Sequence, residues 1–107
     1  MLAGEASNEF GRLTFVSTMT AKELYGVGNL AISTNGLFLY SAAQAANAVG
    51  VFRRDINSGE LSPLHFVRTP DLSGVIDIQL SPDDRYAVTA AYGAKTVVLF
   101  KRDVETG

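Results

Sequence analysis

Asp83-Asp84 and the two basic clusters, Arg53-Arg54-Asp55 and Lys101-Arg102-Asp103, are the groupings whose residue types could do acid–base or anion chemistry. Two carboxylates can share general acid–base work when they face one another across roughly 5–9.5 Å. Adjacent residues in a tight turn point in different directions, so Asp83-Asp84 reads as turn chemistry. The basic clusters could grip an anion, but at strand ends they read as turn caps and solvated charge. His65 is the single histidine, which excludes a multi-His zinc site and leaves little scope for a catalytic triad. It falls in an outer strand and reads as a surface residue. There is no cysteine, hence no thiol nucleophile, thiolate metal site or disulfide. Gly26-Val27-Gly28 lacks the third glycine and the strand–helix setting of a dinucleotide-binding turn. Asn29 and Asp77 remain, and they gain weight from where an internal repeat places them.

A shift of 48 residues superposes the chain on itself without a gap. Ile32-Ser33-Thr34-Asn35-Gly36 falls on Leu80-Ser81-Pro82-Asp83-Asp84, and Val51-Phe52-Arg53-Arg54-Asp55 on Leu99-Phe100-Lys101-Arg102-Asp103. Leu24-Tyr25-Gly26-Val27 meets Leu72-Ser73-Gly74-Val75, and Gly11-Arg12-Leu13 meets Gly59-Glu60-Leu61. Residues 11–59 and 59–107 share fourteen identities in 49 positions. A repeat of this length built from short β-branched and aromatic runs predicts four-stranded propeller blades, since helical repeats need longer amphipathic runs. The runs are apolar on both faces, as expected where a blade is packed between two others.

Each repeat is therefore expected to hold four antiparallel strands: A over 29–32 and 77–80, B over 37–42 and 85–90, C over 48–54 and 96–102, and an outer D over 61–67. The D counterpart for the other repeat is expected at 13–17. Ser33–Gly36 and Ser81–Asp84 supply the A–B turns, with Asp84 at the place of Gly36 and so asked to adopt positive φ. Ser41 to Ala48 is alanine-rich and would score as helix on propensity alone. Its partner segment contains Gly93 and Thr96 and opposes a helix, so the repeat predicts a strand–turn–strand in both places. Phe52 and Phe100 hold one repeat position in strand C and are both expected to pack between sheets. Residues 1–10 read as an N-terminal extension and 11–107 as the two repeats.

Within this architecture Asn29 and Asp77 occupy equivalent positions at the start of strand A, near the central channel. They are the candidate ligand-binding residues, either as a polar ring that orients a ligand or as oxygen donors to a hard cation. The competing reading is an Asx-type bond that closes the connection from strand D to strand A. No residue is assigned as catalytic or as a metal ligand.

The Ser-Thr-Asn-Gly-Leu-Phe-Leu-Tyr and Ser-Pro-Asp-Asp-Arg-Tyr-Ala-Val hairpins, with the Val-x-Val-Phe-Arg-Arg-Asp-x-x-x-Gly-x-Leu run that follows the first, resemble YVTN-type propeller repeats. The same pattern is similar to that of the lactonase-like seven-bladed propellers, whose named activity is 6-phosphogluconolactonase. The resemblance covers residues 11–107. It implies an all-β propeller fold and, for a whole enzyme, sugar-lactone hydrolysis. That family often places an Arg-His pair before the A–B turn, where this sequence has Gly28-Asn29 and Ile76-Asp77. Seven blades of 48 residues would need about 340 residues. The 107 residues therefore suggest a fragment, a degenerate member or an assembling subunit.

Eleven acidic and nine basic residues, with basic charge gathered no further than the Arg53-Arg54 and Lys101-Arg102 pairs, speak against nucleic-acid binding, and no apolar run approaches a membrane span. Residues 1–10 carry Glu5 and Glu9 and no apolar core, unlike a signal peptide, so the expected compartment is cytoplasmic, or secreted or periplasmic if a longer precursor exists. No cofactor is implied. Two function classes follow: a non-catalytic scaffold or binding surface for a protein or glycan, or a piece of a lactonase-like hydrolase whose catalytic residues lie in other blades. The length of the natural reading frame separates them. An unpaired first D strand and a last repeat without one are complementary, so self-association head to tail is expected, most simply as a trimer of six blades, unless the missing blades are supplied by a longer chain.

Overall fold

The computed structural model describes residues 11–107, and the expected N-terminal extension lies outside them. Seven strands run in order: β1 (Val27–Ile32), β2 (Phe38–Ala43), β3 (Ala48–Arg54), β4 (Leu61–Val67), β5 (Val75–Leu80), β6 (Tyr86–Ala91) and β7 (Thr96–Lys101). They form two antiparallel meanders, β1-β2-β3-β4 and β5-β6-β7, which are the two blades. Single 3-10 turns, Lys22–Leu24 and Pro70–Leu72, precede each sheet, and there is no α-helix among the described residues.

The 48-residue repeat is written into the hydrogen bonds. Ser33 and Ser81 each accept, at the hydroxyl, the N–H of the residue five positions on (Phe38 at 3.1 Å, Tyr86 at 3.0 Å). Asn35 and Asp83 each accept the N–H two residues ahead, and Asp55 and Asp103 each hold two N–H groups of the following turn. Both B–C hairpins turn through a left-handed residue, Asn47 at φ 55° and Lys95 at φ 58°. The alanine-rich segment is accordingly strand, turn and strand: the backbone of Tyr25 and Gly26 accepts the N–H groups of Ala46 and Gln44, which ties the turn to the entry of its own sheet. Asp84 adopts φ 62° where Gly36 has 75°, as its place in the turn requires.

The core lies between the sheets. Phe38, Tyr40, Ala42, Val49 and Val51 of the first blade meet Val75, Ile78, Ala87 and Ala91 of the second, with Leu72 beneath. Pairing explains the division: Tyr40 stands beside Val51, and Ala42 beside Val49, on one face of the first sheet. On the opposite face Phe52 packs edge-on against Phe66, with ring centroids 5.7 Å apart, and its ring lies over Gly50. A Cβ at Gly50 would stand 2.5 Å from the Ser41 hydroxyl and 2.9 Å from that ring, so only glycine fits.

The expectations for the outer strands and for the strand C phenylalanines are corrected. Residues 13–17 form no strand, and the second blade has three strands rather than four. A strand exists only through a partner's ladder, and no C strand lies beside that segment among the described residues. Phe100 is only half-buried whereas Phe52 is buried, because the outer strand that covers Phe52 has no counterpart on the second sheet. Nor does Phe52 point between the sheets; it occupies the face of its blade turned away from the second.

Candidate functional site

The site is built on the two inner strands. β1 and β5 each carry a register irregularity at the same repeat position, between Val27 and Asn29 and between Val75 and Asp77. A bulge bends its strand and re-aims the next side chain. Here it brings Asn29 and Asp77 together: Asn29 Nδ2 donates to Asp77 Oδ1 at 2.7 Å. The same oxygen accepts the Ile78 N–H at 2.8 Å, which is a local bond of the kind expected for a polar residue at a strand entry. Both sequence candidates are thus half-buried and in contact. They border a cleft of about 450 Å³ whose wall includes Thr34, Gln79 and Asp84. Ile32, more than half exposed, gives the cleft an apolar strip.

Asp84 is more than a turn residue. Its Oδ2 accepts the Thr34 N–H at 3.0 Å and also the Thr34 hydroxyl, linking the A–B turns of the two blades at the rim of the cleft. Those bonds, the hydroxyl first, hold its carboxyl below the ordinary carboxylate range. Turn N–H groups do the same for Asp55 and Asp103, and the Ser81 hydroxyl for Asp83. A carboxyl depressed in the folded state stabilises it above the unfolded value and loses that contribution as pH falls through the folded one. Stability to urea is therefore expected to fall as the pH drops below the ordinary carboxylate range of about 4. Asp84→Asn should be less stable than the native chain near neutrality and converge with it at the acid end. An unchanged difference across that range would contradict the role given to the ionised carboxylate.

One arginine of each basic cluster binds the backbone. Arg54 Nη1 donates to the Gly36 carbonyl at 3.2 Å and Arg102 Nη1 to the Asp84 carbonyl at 2.8 Å. Arg102 departs from the expected solvated charge, for it is 5 % exposed. Its guanidinium lies 5.2 Å from the Phe38 ring centroid and 5.5 Å from that of Tyr40, and its Nε donates to the Tyr40 hydroxyl. Burial pushes the Tyr40 hydroxyl above its ordinary value, with Arg102 opposing that shift. His65 is exposed on β4, as expected of an outer strand. Sequence reading missed Thr34, Gln79 and the bridging part of Asp84; the signal was the carboxylate standing where the other turn keeps glycine.

A model of the family described as Lactonase, 7-bladed beta-propeller, matches residues 3–107. The chain belongs to this family. The fold of this lactonase-family chain is similar to that of a candidate 6-phosphogluconolactonase from Bacteroides fragilis, with a TM-score of 0.69 and 23 % identity over 76 % of this chain and 22 % of that one. A second candidate 6-phosphogluconolactonase, from Bacteroides uniformis, gives 0.66 and 19 %, over 76 % and 23 % of the two chains. Hydrazine synthase of Kuenenia stuttgartiensis gives 0.65 and 16 %, over 77 % and 28 %. At these identities the likeness is one of fold. The lactonase-family chain spans about a quarter of the length of these structures. No curated protein matches the sequence.

Proposed function

We propose that these two blades form part of the channel wall of a lactonase-like propeller and bind an uncharged polyhydroxylated ligand of the sugar-lactone class. The observation that carries this reading is the Asn29–Asp77 contact beside an open polar cleft. Asp77 accepts and Asn29 donates, and Thr34 and Gln79 add further polar groups along the wall. A ring of neutral and acidic hydrogen-bonding groups suits hydroxyls better than it suits a phosphate, for which cations would be needed. In this reading the blades act as a binding surface, and lactone hydrolysis requires groups from other blades.

A second reading, that the chain is a segment of a complete sugar-lactone hydrolase, is supported by the family and by the names carried by the two Bacteroides structures. Both readings are tested by titrating glucono-lactone into the protein and following amide shifts by NMR, with lactone hydrolysis assayed alongside. Shifts should centre on β1 and β5, and Asp77→Ala should weaken binding about tenfold, as for a lost charge-assisted hydrogen bond. Binding unchanged in Asp77→Ala would defeat the proposed site. Hydrolysis above the uncatalysed rate by these two blades alone would contradict both readings, which place the hydrolytic groups in other blades.

A further inference from the structure

Asn35-Gly36 is the only asparagine–glycine step in the sequence, and it directly follows Thr34 at the rim of the cleft. We propose that Asn35 is a modification site, where the Gly36 backbone nitrogen displaces the side-chain amide and water then leaves a carboxylate in its place. Glycine carries no Cβ to hinder that approach. Asn35 is exposed, so water and hydroxide reach it. Its side-chain oxygen is already activated: Oδ1 accepts the Ser33 hydroxyl at 2.7 Å and the Leu37 N–H at 3.0 Å. A backbone N–H can only donate, so it fixes the oxygen at this place and leaves the NH2 as the group that departs.

Two donors within about 3 Å of one carbonyl oxygen have the geometry of an oxyanion hole. The Gly36 N–H is held by the Ser33 carbonyl at 2.9 Å, and this bond opens first. Hydroxide takes the Gly36 amide proton, the nitrogen bonds to Asn35 Cγ, and negative charge gathers on Oδ1 between Ser33 and Leu37. The Cγ–Nδ2 bond then breaks. The departing group takes a proton from water and leaves as ammonia, which restores the hydroxide and leaves a cyclic imide. Water opens the imide at Cγ to give aspartate. Opened instead at the main-chain carbonyl, it gives an isoaspartyl link with one more methylene in the backbone.

The second blade shows how the fold receives the aspartate product. At the equivalent place Asp83 Oδ1 accepts the Ser81 hydroxyl at 2.5 Å and the Arg85 N–H at 3.1 Å, the same two bonds. Aspartate at position 35 therefore keeps the turn. An isoaspartyl link displaces Thr34, whose N–H and hydroxyl tie the first blade to Asp84, and so loosens the rim of the cleft. The other asparagines of the described residues lack this combination. Asn29 and Asn47 precede Leu30 and Ala48, whose backbones are held in the β1–β2 and β2–β3 ladders. Asn57 precedes Ser58, which carries a Cβ and gives its N–H to Asp55 at 2.8 Å.

The test incubates the native chain in mildly alkaline buffer and follows each asparagine by peptide sequencing in a mass spectrometer. Asn35 should convert to the acid ahead of Asn29, Asn47 and Asn57. Ser33→Ala should slow that conversion about tenfold in the folded chain, less than a shielded oxyanion donor contributes because water reaches this site. In urea, where the turn is gone, Ser33→Ala should leave the rate unchanged. Ser33→Thr keeps the hydroxyl and should keep the native rate. Asn35→Asp should fold with an unchanged circular dichroism spectrum, while the isoaspartyl product, separated by chromatography, should show a shifted Thr34 amide by NMR. The ranking in the native chain decides the site by itself if Ser33→Ala does not fold. Asn35 left unmodified, conversion spread evenly over the four asparagines, a folded-chain rate untouched by Ser33→Ala, or the same slowing in urea would each overturn the proposal.

Discussion

Phe38→Ala is expected to destabilise the protein by about 3–5 kcal/mol, the range for truncating a buried aromatic. Phe38 opens β2, is 1 % exposed and stands at the centre of the contact between the blades. Its ring faces two guanidinium groups, Arg102 at 5.2 Å and Arg53 at 5.6 Å. Each such contact adds about 0.5–2 kcal/mol to what apolar burial contributes. Alanine would leave a cavity and would also strip a ring face from the buried Arg102. The equivalent Tyr86 in the second blade is 37 % exposed, and Tyr86→Ala should cost less than about 1 kcal/mol. Urea unfolding followed by circular dichroism measures both. Similar losses at the two positions would show that the ring is not the anchor between the blades.

Phe52→Ala should cost about 3–4 kcal/mol, and Phe100→Ala roughly half as much. The residues share a repeat position, but Phe52 is 2 % exposed and interlocks with Phe66 of β4 over Gly50, whereas Phe100 has no fourth strand beside it. The same urea unfolding, followed by circular dichroism, measures both. Equal costs would mean that β4 contributes nothing to the burial of Phe52.

The division between what was legible in the residues and what was not follows from what a repeat encodes. Turn chemistry is local: Ser33-Thr34-Asn35-Gly36 and Ser81-Pro82-Asp83-Asp84 state their own hydrogen bonds, so the strands fall within one or two residues of their expected limits. The 48-residue offset also marks Asn29 and Asp77 as equivalent. It does not say that equivalent residues touch, which depends on how the sheets sit against one another and on a bulge in each inner strand. The same applies to Thr34 with Asp84, to Asn47 Oδ1 accepting the Gly74 N–H at 2.8 Å, and to Arg102 with Tyr40. Residues 13–17 show the limit from the other side. Their composition suits a strand, but β propensity records fit to a neighbouring surface, and among the described residues no strand lies beside them.

The strict meander order of both sheets bears on how the chain reaches its native state. Each ladder joins strands adjacent in sequence, whereas Asn29–Asp77, Thr34–Asp84 and Arg102–Tyr40 connect residues 48, 50 and 62 positions apart. Loop closure is cheap for the first kind of contact and slower for the second. Hairpins should therefore form early within each sheet, and docking of the two sheets should be the step that limits the folding rate. Substitutions at the docking contacts would then act mainly on unfolding, while a lesion in the Ser33–Gly36 or Ser81–Asp84 turn would slow folding itself.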